Sequence, residues 1–353
     1  MNKIVVSTIG ISLLLILAYC SSSVEKETYD AFELATPDLF VAMEVPPTNP
    51  ISKAGIELGR KLFYDPVLSI DSSKSCASCH QQELAFATNE RIDPGAEDTF
   101  GNRNSPTLAN VGFLYKGLFW DGRADNLEEQ ALNPITNQHE LASNWELILF
   151  RIRKDKAYLK DFQEVFSISD GKSIDSTMIV KAIAQFERSL ISANSKYDQY
   201  LRGELEFTIK EQRGMAIFFD SSDSLPFSEC GHCHLDPLFT NLKFENNGID
   251  AEGTLKDLGR GSITQRKYDI GLFKVPTLRN IALTAPYMHD GRFETLEEVI
   301  DHYATGGKPG INVSPLVRPL EFTERDKSDL IAFLHTLTDS TFITDPRFSN
   351  PFE

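Results

Sequence analysis

Two short cysteine motifs constrain this chain more than any other feature of its sequence. Residues 76–80 read Cys-Ala-Ser-Cys-His, and residues 230–234 read Cys-Gly-His-Cys-His. In Cys-x-x-Cys-His, both thiols bond covalently to one haem and the adjacent imidazole binds its iron. We therefore predict two covalently attached c-type haems. The residues assigned to them are Cys76, Cys79 and His80 for the first haem, and Cys230, Cys233 and His234 for the second.

The same four cysteines allow two other interpretations. In an exported chain the default for four cysteines is two disulfides. A zinc site with four cysteine ligands could also join the two halves of the chain. Neither alternative requires a histidine directly after each pair, as His80 and His234 are. His232, which lies between two cysteines, is expected to be exposed and to need no role.

Residues 1–20 have the features of an export signal. Lys3 supplies a positive charge, and the apolar run from Ile9 to Ala18 is too short to span a bilayer comfortably. Cys20, followed by three serines, resembles the lipidated cysteine of a bacterial lipoprotein, although the bulky Tyr19 leaves ordinary signal cleavage open. We expect a periplasmic protein that a lipid on Cys20 tethers to a membrane.

Length and charge restrict the class of protein. The chain has 353 residues, enough for two domains of ordinary size. Its net charge of -16 argues against nucleic acid as a partner, because nothing resembles a basic groove. An excess of acidic residues could attract a basic electron-donor protein. An acidic surface that only keeps the protein soluble would give the same net charge.

The two haem motifs belong to an internal repeat. The matching segments are 59–65 with 214–220, 105–111 with 275–281, and 121–129 with 290–298. Helical spacing of apolar residues is common, for example in 179–190 and in a final helix capped by Thr323 with Asp326 three residues on, whereas alternation with period two is rare. We predict a mostly α fold of two cytochrome c-like domains related by duplication, covering residues 21–203 and 204–353.

The repeat also indicates where the halves differ. When the two Asp-Gly-Arg runs at 121–123 and 290–292 are aligned, Pro134 falls opposite Tyr303. A phenol can bind iron, whereas proline cannot. We therefore expect an open iron face at the first haem, able to bind peroxide, and a sixth ligand at the second, which would pass electrons. Met288 is a rival to Tyr303, because thioethers are common ligands in c-type cytochromes.

Several further segments resemble the bacterial dihaem cytochrome c peroxidases and the related MauG enzymes. These segments are residues 58–63 (Leu-Gly-Arg-Lys-Leu-Phe), 104–107 (Asn-Ser-Pro-Thr), 119–124 (Phe-Trp-Asp-Gly-Arg-Ala) and 285–291 (Ala-Pro-Tyr-Met-His-Asp-Gly). The resemblance implies that His80 binds a peroxidatic haem, that His234 binds an electron-transferring haem, and that Trp120 lies between the two.

The same resemblance implies the distal residues and a further metal. Gln130 and Glu140 match the family's distal glutamine and catalytic glutamate, with Pro134 between them over the open face. An interdomain calcium ion is also implied. Its expected ligands are the side chain of Asn104 and the backbone carbonyls of Thr284 and Pro286, which are oxygen donors of the kind that calcium prefers.

Two departures from the family pattern bear on function. Many of these peroxidases cap the first haem with a histidine until the second is reduced, and that histidine would fall near Ala96 or Glu97, where none occurs. We therefore expect no need for reductive activation. Tyr303 is the ligand type of MauG, but the tryptophan that MauG has two residues before its second haem motif is Ser228 here.

We predict that the chain is a cytochrome c peroxidase that reduces hydrogen peroxide. Glu140 would take a proton from peroxide and return it to the leaving oxygen. Electrons would come from a small cytochrome c or cupredoxin, and a homodimer is the expected assembly. Two alternatives stay open: MauG-like oxidation of a protein or organic substrate, and a non-enzymatic dihaem electron carrier.

The paired motifs lead to a direct test of haem attachment. The mature protein should gain the mass of two haems and should stain for haem after denaturing electrophoresis, because thioether bonds survive denaturation. Intact mass spectrometry measures this. A gain of one haem or none would contradict the prediction.

Overall fold

The computed structural model describes residues 32–115 and 117–353, so the export signal and lipidation expected for residues 1–20 lie outside the described residues. The described part is mostly helical. Its helices are α1 (Lys53–Tyr64), α2 (Leu127–Thr136), α3 (Trp145–Lys154), α4 (Lys156–Phe166), α5 (Ser176–Ser189), α6 (Lys196–Leu201), α7 (Ile209–Phe218), α8 (Cys230–Cys233), α9 (Gly261–Thr264), α10 (Leu296–Ala304) and α11 (Glu324–His335). Two short strands, β1 (Phe244–Glu245) and β2 (Phe273–Lys274), pair antiparallel. No helix in these ranges has the length and apolar character to cross a bilayer.

Local sequence signals account for the helix ends. The predicted cap of the last helix is confirmed: Asp326 donates its backbone N–H to the Thr323 hydroxyl at 3.2 Å, and its carboxylate accepts the Thr323 N–H at 2.8 Å. The apolar run at 179–190 is also helical, since α5 starts after the Asp175 cap and ends one residue before Leu190.

Two helix pairs form the frame of the molecule, α1 against α5 and α7 against α11. Each pair meets at a glycine. A methyl group on Gly59 would overlap the Ala182 carbonyl of α5, and one on Gly214 would overlap the Asp329 carbonyl of α11. The two pairs therefore approach each other more closely than larger side chains would allow.

Apolar clusters surround both pairs. One cluster packs α1 and α5 against α2, α3 and α4, with Leu62, Ile148 and Phe162 fully buried. Another packs α7 against α10 and α11. The end of the chain returns to the first half, where Phe342 and Phe348 pack with Phe86. Conversely, Tyr197 of α6 belongs to the cluster around α7.

The two halves repeat local backbone geometry as well as helix packing. Asn110 and Asn280 both adopt left-handed φ angles, of 60° and 62°, before a single 3-10 turn. The Asp-Gly-Arg segments each sit inside a narrow antiparallel bridge, Leu118 with Ala124 in one half and Tyr287 with Phe293 in the other.

Polar contacts join the halves around the segments that matched in sequence. Arg103 pairs with Asp257 at 2.7 Å, and the Lys274 N–H donates to the Trp120 carbonyl at 2.8 Å. Arg279, 1% exposed, pairs with Asp198 through both guanidinium nitrogens at 2.9 Å. Removing one partner of such a buried pair typically costs about 3–5 kcal/mol, because the other charge is left uncompensated.

Candidate active site

The first cysteine motif forms a tight turn that positions a histidine. Residues 76–78 make a single 3-10 turn, and the His80 N–H donates to the Cys76 carbonyl at 3.0 Å. His80 Nδ1 lies 2.9 Å from the Phe86 carbonyl oxygen. A histidine that donates Nδ1–H to a carbonyl is fixed in orientation and offers Nε2 to a metal.

The second motif repeats this arrangement. It forms the short helix α8, the His234 N–H donates to the Cys230 carbonyl at 2.9 Å, and His234 Nδ1 lies 3.0 Å from the Phe239 carbonyl. Burial lowers the pKa of both His80 and His234, although the carbonyl contacts oppose this. Both imidazoles are therefore neutral near pH 7, which is the form that binds metal.

The four cysteines of the described chain are free thiols, so neither pair forms a disulfide there. Burial raises the pKa of Cys230 and Cys233 to about 11 and that of Cys79 to about 12. Reactive redox thiols have lowered pKa values instead. The pairs therefore do not resemble the active thiols of a disulfide oxidoreductase.

A crevice of about 610 Å³, called here the first crevice, opens beside the first motif. Its volume lies within the usual range for small-molecule and cofactor sites. It brings together all the residues predicted for the peroxidatic side, which are Cys76, Cys79, His80, Trp120, Gln130, Pro134 and Glu140. Gln130 Oε1 is buried there without a hydrogen-bond partner in the described residues. An unsatisfied buried amide is costly, so a polar group of a ligand would satisfy it.

Glu140 is partly buried at the end of the segment that follows α2. Its Oε1 accepts a hydrogen bond from Asn137 Nδ2 at 2.7 Å. Burial raises the pKa of Glu140, while Asn137 and Arg123 oppose the shift. A carboxyl group with a raised pKa can exchange protons closer to neutral pH, as a general acid–base needs.

Residues 95–99, where the family's capping histidine would lie, pack against the backbone of residues 138–140. The Ala96 N–H donates to the Glu140 carbonyl at 2.6 Å, and the Thr99 hydroxyl donates to the Gln138 carbonyl at 2.7 Å. Any Cβ on Gly95 would overlap the backbone of His139. The segment is thus held against residues 138–140, and it places no imidazole in the first crevice.

A smaller cavity of about 230 Å³, the second crevice, lies beside the second motif. Its volume is somewhat below the usual range for ligand sites. It gathers Cys230, Cys233, His234, Met288 and Tyr303, so the structure brings both rival ligands to it. Asn247 Nδ2 lies 3.4 Å from the Tyr303 hydroxyl and 3.3 Å from Met288 Sδ. Asn247 therefore holds both side chains at one place.

Trp120 lines both crevices. Its indole N–H donates to the Asn104 carbonyl at 2.9 Å, which fixes the ring between the two motifs. The three expected calcium ligands, Asn104, Thr284 and Pro286, all line the second crevice. The Asn104 amide nitrogen donates to the Glu90 carbonyl at 3.0 Å, so its Oδ1 is the atom left to bind a cation.

His232, His289 and Ser228 lie near the second motif or the second crevice, and each has a local contact. His232 is exposed, with 57% of its side chain accessible, and it pairs with Glu229 at 3.0 Å. His289 is buried and stacks on Phe273 at 3.7 Å. Ser228 is buried, and its hydroxyl donates to the Ile217 carbonyl at 2.8 Å, so this position holds the turn before Cys230.

Sequence reasoning missed three polar residues of the crevices: Asn137, Asn247 and Glu187. Asn137 and Asn247 act through contacts with residues that the motifs do identify. Glu187 lines the first crevice from α5. The repeat could have identified it, because a match of α5 to α11 places a carboxyl group opposite a leucine.

Comparison with known proteins agrees with this geometry. A family model described as di-haem cytochrome c peroxidase matches residues 53–206. A methylamine utilization protein MauG of Methylorubrum extorquens is 34% identical over 83% of this chain and 80% of its own length. A cytochrome c551 peroxidase of Nitrosomonas europaea is 36% identical over 80% of this chain and 79% of its own length.

One solved structure has a similar fold over most of the chain. A MauG-like protein associated with microbial copper homeostasis superposes with a TM-score of 0.82 and 38% identity, covering 92% of this chain and 100% of that one. Its coverage includes both halves that carry a cysteine motif.

The second crevice generates a test of its iron ligand. We expect Tyr303→Phe to remove the ligand signature of the second haem in near-infrared and resonance Raman spectra, because a phenolate donor would be lost. Met288→Leu is the matched variant and should leave that signature unchanged. The opposite pattern, with loss only in Met288→Leu, would show that methionine is the ligand.

Proposed function

Because the chain belongs to the di-haem cytochrome c peroxidase family, we propose that it reduces hydrogen peroxide to water with electrons from a small redox protein. The observation that carries the proposal is the content of the first crevice. Glu140, whose pKa is raised, lines the same cavity as His80, whose Nδ1 contacts a carbonyl and leaves Nε2 to bind iron. An electron carrier without enzymatic activity needs no such carboxyl group.

The proposal includes two haems, one in each half, joined by thioethers to Cys76 and Cys79 and to Cys230 and Cys233. The residues fit this group: the thiols are free, and each histidine has Nε2 available. When bound, the haems would supply the iron that binds peroxide and the means to store and pass electrons. The matched helix pairs and turns support an origin by duplication. The boundary near residue 203 stays a prediction from the sequence.

Glu140 moves the proton that O–O cleavage requires. Hydrogen peroxide, two electrons and two protons give two molecules of water. The Glu140 carboxylate accepts a proton from the first peroxide oxygen and donates it to the second, which leaves as water. Asn137 holds Glu140 Oε1 at 2.7 Å, so the carboxyl group is oriented before peroxide enters.

Gln130 and Pro134 shape the same side of the first crevice. The unpaired Gln130 Oε1 can accept a hydrogen bond from peroxide and orient it towards Glu140. Pro134 lies in α2 and offers no group that could bind iron, so it would leave a haem held by His80 free to bind substrate. Trp120, which lines both crevices, would link the two haems for electron transfer.

MauG-like oxidation of a protein or organic substrate is the second candidate. The Tyr303 side chain beside the second crevice favours it, because tyrosine is the ligand type of MauG. The position before Cys230 argues against it, since Ser228 is buried and cannot present an aromatic ring to a protein substrate. We therefore place peroxide reduction first.

We further propose where the enzyme acts, which proteins it contacts and which additional metal it binds. It would act in the periplasm, tethered through Cys20, and would accept electrons from a small cytochrome c or cupredoxin. A homodimer remains our expected assembly. A calcium ion held by Asn104 Oδ1 and the carbonyls of Thr284 and Pro286 would stabilise the contact between the halves, and the gathering of these residues at one crevice supports this site.

The role of Glu140 predicts the effect of a single substitution. Glu140→Gln keeps the shape and the hydrogen bond but removes the proton exchange, so peroxide turnover should fall by roughly a hundredfold or more. Steady-state assays with a reduced donor protein measure this. Glu146→Gln, which removes an exposed carboxyl group of α3 outside the first crevice, should retain turnover. Unchanged turnover in Glu140→Gln would place the acid–base group elsewhere.

Because the segment around Ala96 and Glu97 contains no histidine, we expect an enzyme that is ready in its oxidised form. Electron paramagnetic resonance of the fully oxidised protein should contain a high-spin signal, and that signal should change when cyanide is added. Only low-spin haem in the oxidised protein would contradict the prediction and would reveal a sixth ligand at the first haem.

A further inference from the structure

We propose that Glu187 is a positioning residue for the first haem: its buried carboxyl group binds a proton when that haem is reduced and releases it when the haem is oxidised. Glu187 would thereby set the potential of the first haem and not that of the second. The inference rests on the proposed function, because it assumes a haem in the first crevice.

The burial of Glu187 carries the inference. The residue is 4% exposed in the last turns of α5 and lines the first crevice, one turn after Ile183. Its Oε2 has no hydrogen-bond partner among the residues described. A buried carboxyl group without a partner is costly to keep, particularly when ionised, so its packing role alone does not explain it.

The repeat shows that this carboxyl group belongs to one half only. Gly59 meets Ala182 as Gly214 meets Asp329, which aligns α5 with α11. In that alignment Ile183 and Glu187 of the first crevice correspond to Leu330 and Leu334 of the second, and all four line their crevices. The first half thus carries an ionisable group where the second half has an apolar one.

Few charged groups act on Glu187. Burial raises its pKa to about 8, Arg188 on the same helix lowers it, and Glu128 of α2 raises it. Arg188 is engaged by Glu128, with both guanidinium nitrogens at 2.7 and 2.9 Å. Glu187 in turn raises the pKa of Cys76, a half-buried thiol.

The charged side chains of α1, which packs against α5, have other partners. Lys61 pairs with Asp161 at 2.8 Å, and Arg60 pairs with Glu57 at 2.6 Å. Lys53 lies over the Phe32 ring. The turn at residues 111–113 adds no charged side chain. Within the described chain, Arg188 is therefore the cation that acts directly on Glu187, and Glu128 already neutralises it.

The chemistry follows from charge balance in a medium of low dielectric. A carboxylate close to iron stabilises the ferric state, and the electron that reduces the iron makes the carboxylate a stronger base. Reduction of a haem held at the first motif would therefore take one electron from the redox mediator of a titration and would place one proton from water on Glu187. Oxidation would return the electron to that mediator and the proton to water. Leu334 can make no such exchange at the second haem.

Potentiometric titration of the holoprotein from pH 6 to pH 10 tests the inference. The potential of the first haem should fall with rising pH, by up to about 59 mV per pH unit, the equivalent of a tenfold change in proton concentration for a one-electron couple. In Glu187→Gln, which keeps the shape, this fall should be largely lost and the potential should stay near its low-pH value.

Three controls separate the possible outcomes. The potential of the second haem should depend on pH in the same way in the wild type and in Glu187→Gln. Glu146→Gln, which changes an exposed carboxyl group of α3, should behave as the wild type. Glu187→Leu, which copies the second half, should match Glu187→Gln. Haem stoichiometry is measured first, so failure to bind haem at the first motif would count against the proposed function. With both haems bound, an unchanged pH slope in Glu187→Gln would overturn the inference.

Discussion

The contact of α1 with α5, and its counterpart of α7 with α11, places matching helical side chains along one wall of each crevice. Because Gly59 and Gly214 have no side chain, each pair of helices can meet at backbone distance, and the flanking Phe186 and Phe333 pack directly over the glycines. Each cysteine motif lies beside its own pair. One wall of each crevice is therefore set by rigid helices, which hold side chains more precisely than loops do, whereas turns carry His80, Trp120 and Glu140.

Burial is the second constraint, and its effect differs between the first and the second crevice. It keeps His80 and His234 neutral, so that both can bind iron, and it raises the pKa of Glu140 and Glu187. In the first crevice these carboxyl groups would be available for proton exchange beside the proposed haem. The matching walls of the second crevice are apolar, with Leu330 and Leu334. This asymmetry suits one centre for chemistry and another for electron transfer.

Much of the molecule could be predicted from local signals. The two Cys-x-x-Cys-His motifs, the run that became α5 and the Thr323 cap of α11 each depend on residues close in sequence, where spacing alone determines the geometry. The gathering of Gln130, Pro134 and Glu140 followed from a family resemblance. The hydrogen bonds from Ala96 and Thr99 to residues 138–140 could not be predicted, because hydrogen bonds to distant backbone groups leave no pattern in the sequence.

By itself, the sequence determined which residues can attach haem and where the repeat lies, because these are matters of residue identity and spacing. The tertiary structure alone decided that Asn247 brings Tyr303 and Met288 to one place, that Trp120 lines both crevices, and that Glu187 faces the first. Those facts depend on how α5, α10 and the 244–250 segment pack. Packing joins residues far apart in the chain, so no local pattern contains it.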